Sequence, residues 1–356
     1  MAHEKNALNA PSTLLDWFPT DLPPKQRVLA LFMAKWSIGA LRPLVQLHVP
    51  DLLADGPRTA AELAVATGTD VDALYRVLRC ASVVGVFVQR PDGSFESTPV
   101  SEGLRSDAPE AMREMFLFAC DPMLWRPYED ALNTVRTGEP SFNHIFGQSF
   151  FDYLKANPSS GALFDQAMLQ NHYRPATDLI LKDIQSDHFR SIADVGGGAG
   201  QFLADILIGL PEATGVLCDQ PHVVAKARDV FAKAGVTDRV RIVGGDFFTK
   251  IPSGCDVYLI KHTLHNWNDE KAGLILRRIR EAISSNAEAR LLIVDMLLTG
   301  YGQWDIGKFA DIEMLVALGG RERSHQEWNR LLNAAGFDPA NDPEPGGLAL
   351  MKYRPR

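Results

Sequence analysis

Cysteine is scarce in this chain. Only Cys80, Cys120, Cys218 and Cys255 occur among 356 residues, and they are widely spaced. That excludes a disulfide framework and a cysteine zinc site and points to a reducing compartment. No run of about 20 apolar residues occurs, so no membrane-spanning segment is expected. The opening residues, Met1 to Asn6, carry no apolar signal core, and the expected location is the cytoplasm. Positive charge is in deficit: a net charge of -8 argues against general nucleic-acid binding, which needs a basic surface. No His/Asp/Glu cluster shows metal-ligand spacing, so no metal is expected. Internal repeats and low-complexity tracts are also missing. What remains is ordinary globular composition, 46% hydrophobic and 22% charged, in a chain long enough for two domains.

Against that background one stretch stands out, Ser191-Ile192-Ala193-Asp194-Val195-Gly196-Gly197-Gly198-Ala199-Gly200. A short apolar run stops at three glycines, and an apolar-periodic segment with Phe202, Leu203, Ile206 and Leu207 follows. This predicts a buried strand, a tight turn and a helix, with backbone free to approach a ligand that a Cβ would block. The dinucleotide fingerprint needs a further glycine at position 201 or 203, where Gln201 and Leu203 stand; a phosphate loop needs Gly-Lys-Ser/Thr, which is absent. Asp219, about 20 residues on and after the apolar run Gly215-Val216-Leu217-Cys218, suits ribose hydroxyls. An adenosyl group without phosphates fits both facts, and S-adenosylmethionine is such a ligand.

The rest of the chain places this turn. Residues 1–25 are polar and proline-bearing, an expected irregular arm. From Val28 to about Leu47 the chain is apolar over much of a helix's girth, which calls for cover by a partner subunit. Residues 50–100 read as a winged helix. Thr59 and Glu62 form a capping box, Gly68 ends that helix, and Asp70 caps the next, with Leu74, Val77, Leu78 and Ala81 on one face. A hairpin follows, Val84–Gln89 and Phe95–Thr98 about Pro91-Asp92-Gly93. The second helix opens with Asp70 and Asp72 and offers only Arg76 and Arg79, so packing or dimerisation is expected rather than DNA contact. Residues 108–186 are helical and crowded with Phe, Met, Trp and Tyr, side chains that build core and suit a flat apolar substrate. Beyond the glycine turn, strands Val240–Val243, Val257–Lys261, Leu291–Asp295 and Leu348–Tyr353 alternate with helices, which implies a mostly parallel, doubly wound α/β sheet. Ligands sit beyond strand C-termini in such sheets, where Gly196, Asp219, Asp246 and Lys261 fall.

Just past one such strand end lies His262-Thr263-Leu264-His265-Asn266-Trp267-Asn268-Asp269. A neutral imidazole near its ordinary pKa accepts a proton at pH 7, and His265 is the candidate general base, with His262 a weaker rival. A base needs its other nitrogen held. Asp295, ending the next strand, and Glu322 in Gly319-Gly320-Arg321-Glu322-Arg323 are the candidate holders.

On these motifs, with Gly244-Gly245-Asp246-Phe247-Phe248 added, the chain from about residue 20 onward resembles the S-adenosylmethionine-dependent small-molecule O-methyltransferases of the plant caffeic-acid and acetylserotonin type and their bacterial natural-product relatives. The resemblance implies a Rossmann-like methyltransferase sheet with an N-terminal helical and winged-helix dimerisation domain. It implies three parts: 1–105 for dimerisation, 106–186 as helical linker and pocket wall, and 187–356 for catalysis. Gly196 would abut the cofactor, Asp219 would bind its ribose, Asp246 and Phe247 would meet the adenine, and Lys261 would lie beside it. His265 would be the base, flanked by Asp295 and Glu322, acting on a phenolic or enolic hydroxyl of an aromatic secondary metabolite. Met168 and His172 match a helix bordering cofactor and substrate. The family usually has Glu at the position of Asp295 and often Asp at that of Asn266; the shorter Asp295 leaves its reach to His265 open. N-methylation, or a non-methylating use of the same pocket, is the alternative enzyme reading. A ligand-sensing winged-helix regulator would need a basic recognition helix, which this chain lacks.

Overall fold

In a computed structural model the described residues are 23–108, 111–170, 177–178, 180–182, 184, 189–284 and 286–356. They fall into two compact units. One takes the described residues of 1–129 and 151–171, the other those of 130–150 and 172–356.

The first unit opens with helix Pro24–Gln46. Its buried residues are Ala30, Ala40, Leu41, Leu44 and Val45, while Val28, Leu29, Leu31, Phe32, Met33 and Trp36 are exposed. This helix is long and apolar enough to cross a membrane by length and composition alone, a test that the core helices of soluble proteins also pass. The capping predictions are met. Thr59 accepts from the Glu62 N–H and Glu62 reaches back to the Thr59 N–H, opening helix Ala60–Thr67, which Gly68 closes at φ +67°. The Asp70 side chain accepts from the Ala73 N–H and opens helix Val71–Val83. The hairpin is shorter than expected: β1 is Phe87–Gln89 and β2 is Phe95–Ser97. Val84 is the C-cap of the preceding helix and Gly85 turns at φ +81°, so extended pairing starts later. Leu44, Leu63, Leu78, Phe87 and Phe95 are fully buried at the centre of this unit.

The second unit carries the main sheet, in the order β5-β4-β3-β6-β7-β10-β9. β3 (Ser191–Val195), β4 (Thr214–Asp219), β5 (Val240–Gly244), β6 (Val257–Lys261) and β7 (Arg290–Leu298) are mutually parallel. β10 (Gly347–Pro355) runs antiparallel to β7 and to the short β9 (Phe337–Pro339). A two-residue strand, β8 (Arg323–Ser324), pairs with the end of β7. The expected doubly wound architecture is present; β8 and β9 are too short to announce themselves in the sequence.

Both faces of the sheet are covered, as parallel strands require. Along β6, Val257 and Leu259 face a core with Phe202, Leu203, Ile206 and Phe231, whereas Tyr258 and Ile260 face one with Ile275, Ile279, Trp328 and Leu332. The order of connection reverses at β3, which lies between β4 and β6. The crevice beyond its C-terminal end is where such sheets hold ligands.

Candidate active site

The glycine turn occupies that crevice. Gly196, Gly198 and Gly200 have φ of +73°, +61° and +87°, left-handed values that side chains other than glycine rarely adopt. A Cβ on Gly196 would come within 2.9 Å of both Thr263 Oγ1 and Cγ2, so this glycine lets the loop meet the segment that carries His265. Nothing lies within 4 Å of the Cβ direction of Gly198. Beside it, the carboxylate of Asp219 accepts from the Gly198 N–H at 2.8 Å and from the Gln220 N–H at 2.6 Å. Asp219 therefore ties the loop, and a carboxylate is an acceptor of the kind that ribose hydroxyls need. An open glycine cradle with an acidic rim fits an uncharged adenosyl group.

Deeper in the crevice, Asp194 is buried and its Oδ2 has no hydrogen-bond partner among the described residues. Burial pushes its pKa up to about 7 against the pull of Lys261. Lys261, at the end of β6, is itself lowered by burial, and its Nζ lies 5.2 Å from the centre of the Phe202 ring. Asp246, just beyond β5, accepts from the Phe248 N–H at 2.9 Å. Phe247 packs edge-on to Phe248 at 4.9 Å and to Trp267 at 6.3 Å.

His265 stands on a short turn past β6, with both expected carboxylates on one nitrogen. Its Nδ1 is 2.8 Å from Glu322 Oε1 and 3.0 Å from Asp295 Oδ1. Asp295 does reach, despite its shorter side chain, because it sits within β7 rather than at its end: the strand runs to Leu298, and Asp295 lies opposite Ala349 of β10. The reading of His265 as a neutral ring near its ordinary pKa is corrected. Burial pulls the ring down, but Asp295 and Glu322 outweigh it and push the pKa up to about 10. The imidazolium in turn holds Asp295 below the usual carboxylate range despite burial, while burial leaves Glu322 raised. Sign follows: a His raised in the fold contributes stability present below 6.5 and lost as pH rises through about 10.

His262 adds a second ring. Its φ is +46°, a strained value for a residue with a Cβ, and its Nδ1 lies 3.5 Å from the same Asp295 oxygen. The spacing of sequence gave no hint of a metal-ligand group, yet His262, His265 and Asp295 bring ligand atoms within 4.8 Å of one another.

The turn bearing His265 is clamped from the far side. The Arg321 N–H donates to the His265 carbonyl at 2.8 Å. Fully buried Arg323 donates to the carbonyls of Leu264 and Trp267 at 3.2 and 2.9 Å and to Asp269 at 2.8 Å, and its guanidinium lies 5.0 Å above the Trp328 ring. Sequence reading named Arg323 only as part of a motif; a buried Arg with five donors to satisfy was the signal. The neighbouring segment is also unusual: Met314–Leu318 is a π-helical turn, a widening often found at functional sites. Helix Ser141–Phe146 packs against it, with Phe142 tilted against Phe146 at 4.6 Å and edge-on to Phe150 at 5.3 Å. Met168 lies in helix Pro158–Gln170 of the first unit, and His172 falls outside the described residues.

A parallel sheet, a glycine cradle beside an acidic strand end, and a doubly held imidazole on the same edge define a Rossmann-like transferase of the class I methyltransferase type. Comparison with known proteins makes this specific. Residues 30–107 match the O-methyltransferase dimerisation domain and residues 125–338 the O-methyltransferase domain, so the chain belongs to the O-methyltransferase family. It is 39% identical over 335 residues to 8-amino-8-demethylriboflavin N,N-dimethyltransferase of Streptomyces davaonensis, covering 91% of this chain and 95% of that protein. Among solved structures, mitomycin 7-O-methyltransferase superposes with a TM-score of 0.86 at 34% identity, covering 93% of this chain and 98% of that one. An O-methyltransferase of neocarzinostatin biosynthesis, in complex with S-adenosylmethionine and 2-hydroxy-5-methyl naphthoic acid, gives 0.77 at 29% identity, covering 90% and 96%.

Proposed function

We propose that this protein transfers a methyl group from S-adenosylmethionine to a phenolic or enolic hydroxyl of an aromatic secondary metabolite, with His265 as general base. The observation that carries the reading is the pair of carboxylates on His265 Nδ1, at 2.8 and 3.0 Å, on the same sheet edge as the glycine cradle. The bound cofactor supplies a methyl already activated on a sulfonium. Gly196, Asp219, Asp246, Phe247 and Lys261 would hold it along the strand ends. Asp295 and Glu322 fix the ring and its tautomer, so that Nε2 accepts the hydroxyl proton and the resulting imidazolium is stabilised by the charges on its other side. At rest the ring is protonated and gives its Nε2 proton to solvent before it can act as base. Incubation with radiolabelled S-adenosylmethionine and a panel of phenols and arylamines tests the activity; failure of every hydroxyl acceptor alongside transfer to amines would reject the O-methyl assignment.

That second outcome has one observation in its favour, the 39% identity to an N,N-dimethyltransferase. An arylamine nitrogen carries its own lone pair and leans less on a base, so loss of His265 would impair amine acceptors far less than hydroxyl ones.

Three expectations follow from the site and the first unit. The reaction needs neutral His265, so kcat/KM rises with pH through the raised pKa of the ring. Asp295→Asn removes an attracting charge and shifts that limb to lower pH by about one unit or more while lowering the plateau; an unmoved limb in the pH–rate profile counts against the pairing. Asp219→Ala weakens S-adenosylmethionine binding by about tenfold or more, since a charged hydrogen-bond acceptor contributes about 1.5–3 kcal/mol; unchanged affinity by calorimetry removes the ribose role. The exposed face of helix Pro24–Gln46 belongs to a homodimer in this reading, and Trp36→Glu, placed at its centre, yields monomer in sedimentation velocity. A dimer of undiminished stability would put the interface elsewhere.

A further inference from the structure

We propose that His262, His265 and Asp295 form a binding site for one divalent zinc ion. Ligand atoms of the three lie within 4.8 Å of one another. Asp295 Oδ1 is 3.5 Å from His262 Nδ1 and 3.0 Å from His265 Nδ1. Ligands on a tetrahedral zinc, at about 2.0–2.2 Å from the metal, are separated by about 3.3–3.6 Å, close to the two distances from Asp295 Oδ1. Two imidazoles and one carboxylate are a zinc donor set, with borderline nitrogen and hard oxygen together. With three protein ligands, the fourth position of a tetrahedral zinc would go to a water.

Two features independent of spacing point to a cation. Asp295 Oδ2 and Glu322 Oε2 are buried and have no hydrogen-bond partner among the described residues, and unpaired buried carboxylate oxygens are costly. His262 is held at φ +46°, so backbone strain keeps a second imidazole beside a carboxylate that already serves the first. The site is reachable: the side chains of His262 and His265 are 17% and 13% exposed, against 1% for Asp295, so the metal enters over the rings and meets the carboxylates behind them.

Occupancy has a chemical consequence that rests on the proposed role of His265. When Nδ1 gives its lone pair to zinc it loses any proton it held to solvent, and the remaining hydrogen is on Nε2. A ring metallated on one nitrogen and protonated on the other has no lone pair left to accept a hydroxyl proton. Zinc therefore stops base-dependent methyl transfer without occupying the glycine cradle, and the enzyme becomes sensitive to free transition metal.

The test uses the full-length, tag-free protein. Zinc chloride is titrated by competition with a chromogenic chelator, and cobalt(II) chloride serves as the spectroscopic probe. We expect one zinc per chain, an intense visible cobalt band of the tetrahedral kind, and affinity at least about tenfold weaker in His262→Gln and in Asp295→Asn. His325→Gln, which removes an imidazole 3.1 Å from Asp342 on the surface, leaves binding unchanged. Equal zinc affinity in the wild type and both site variants, or a weak octahedral cobalt spectrum in the wild type, overturns the proposal. The cobalt spectrum needs no variant and stands if one of them misfolds. Methyl transfer measured with zinc present separates the two readings: tight site-specific binding with transfer unimpaired keeps the metal site and removes His265 as base, whereas absent binding removes the metal site and leaves the base untouched.

Discussion

His265→Gln is expected to lower turnover on a hydroxyl acceptor by about 10²–10⁴-fold, the range a positioned general base supplies, with S-adenosylmethionine affinity kept. The isosteric amide preserves size and a donor but cannot take up a proton. The loss belongs in kcat and kcat/KM together, because the interaction is made in the transition state. Steady-state kinetics beside calorimetric cofactor binding checks both halves. The residual rate reflects what proximity alone supplies, since holding acceptor and methyl in line removes much of the barrier whatever the base does. Turnover within a few-fold of wild type would mean that the carboxylates around His265 serve structure only.

Gly320→Ala is expected to cost about 3 kcal/mol of stability or more and to lower turnover by about 10²-fold. A Cβ at this position would overlap the carbonyl oxygen of His265 and lie 2.5 Å from the carbonyl carbon of Asn266. Those are backbone atoms, so no rotamer change relieves the clash, and the cost belongs at or above the upper end of overpacking penalties. The turn that must move carries His265, the proposed base, and misplacement by about 1 Å is enough for the loss in rate. Denaturant unfolding and kinetics read the two effects separately. Gly347→Ala is the control: it has nothing within 4 Å of its Cβ direction and no left-handed φ, and it should leave both nearly unchanged. Equal behaviour of the two variants would show that the Gly320 contact yields without consequence.

Features fixed by local chemistry were readable in advance. Thr59 with Glu62, Asp70, Gly68 and the glycine turn act through their nearest neighbours, so a short window contains the cause. The buried strands were readable for a related reason: an apolar run of four or five residues between helical patterns has few other ways to satisfy its backbone. The hairpin edge was missed at Val84 because a helix C-cap and an extended start share the same residue types there, and only the left-handed Gly85 separates them. The site was partly legible. That His265, Asp295 and Glu322 belong together follows from strand-end logic and family resemblance. That both carboxylates share one nitrogen, and so keep the ring charged, depends on β7 continuing past Asp295 along β10, a long-range pairing. His262 and Arg323 show the same limit. Each matters through contacts across the fold, with Asp295 in β7 for one and with the Leu264 and Trp267 carbonyls for the other.

In the proposed reaction the imidazole of His265 would face the acceptor across the crevice from the methyl donor. A crystal structure of this protein with S-adenosylhomocysteine and a turned-over acceptor tests it most directly. The account predicts the acceptor hydroxyl about 2.6–3.2 Å from His265 Nε2, with the homocysteine sulfur on the opposite side of that oxygen. An acceptor oxygen bound away from Nε2, with the ring turned from the crevice, would contradict it.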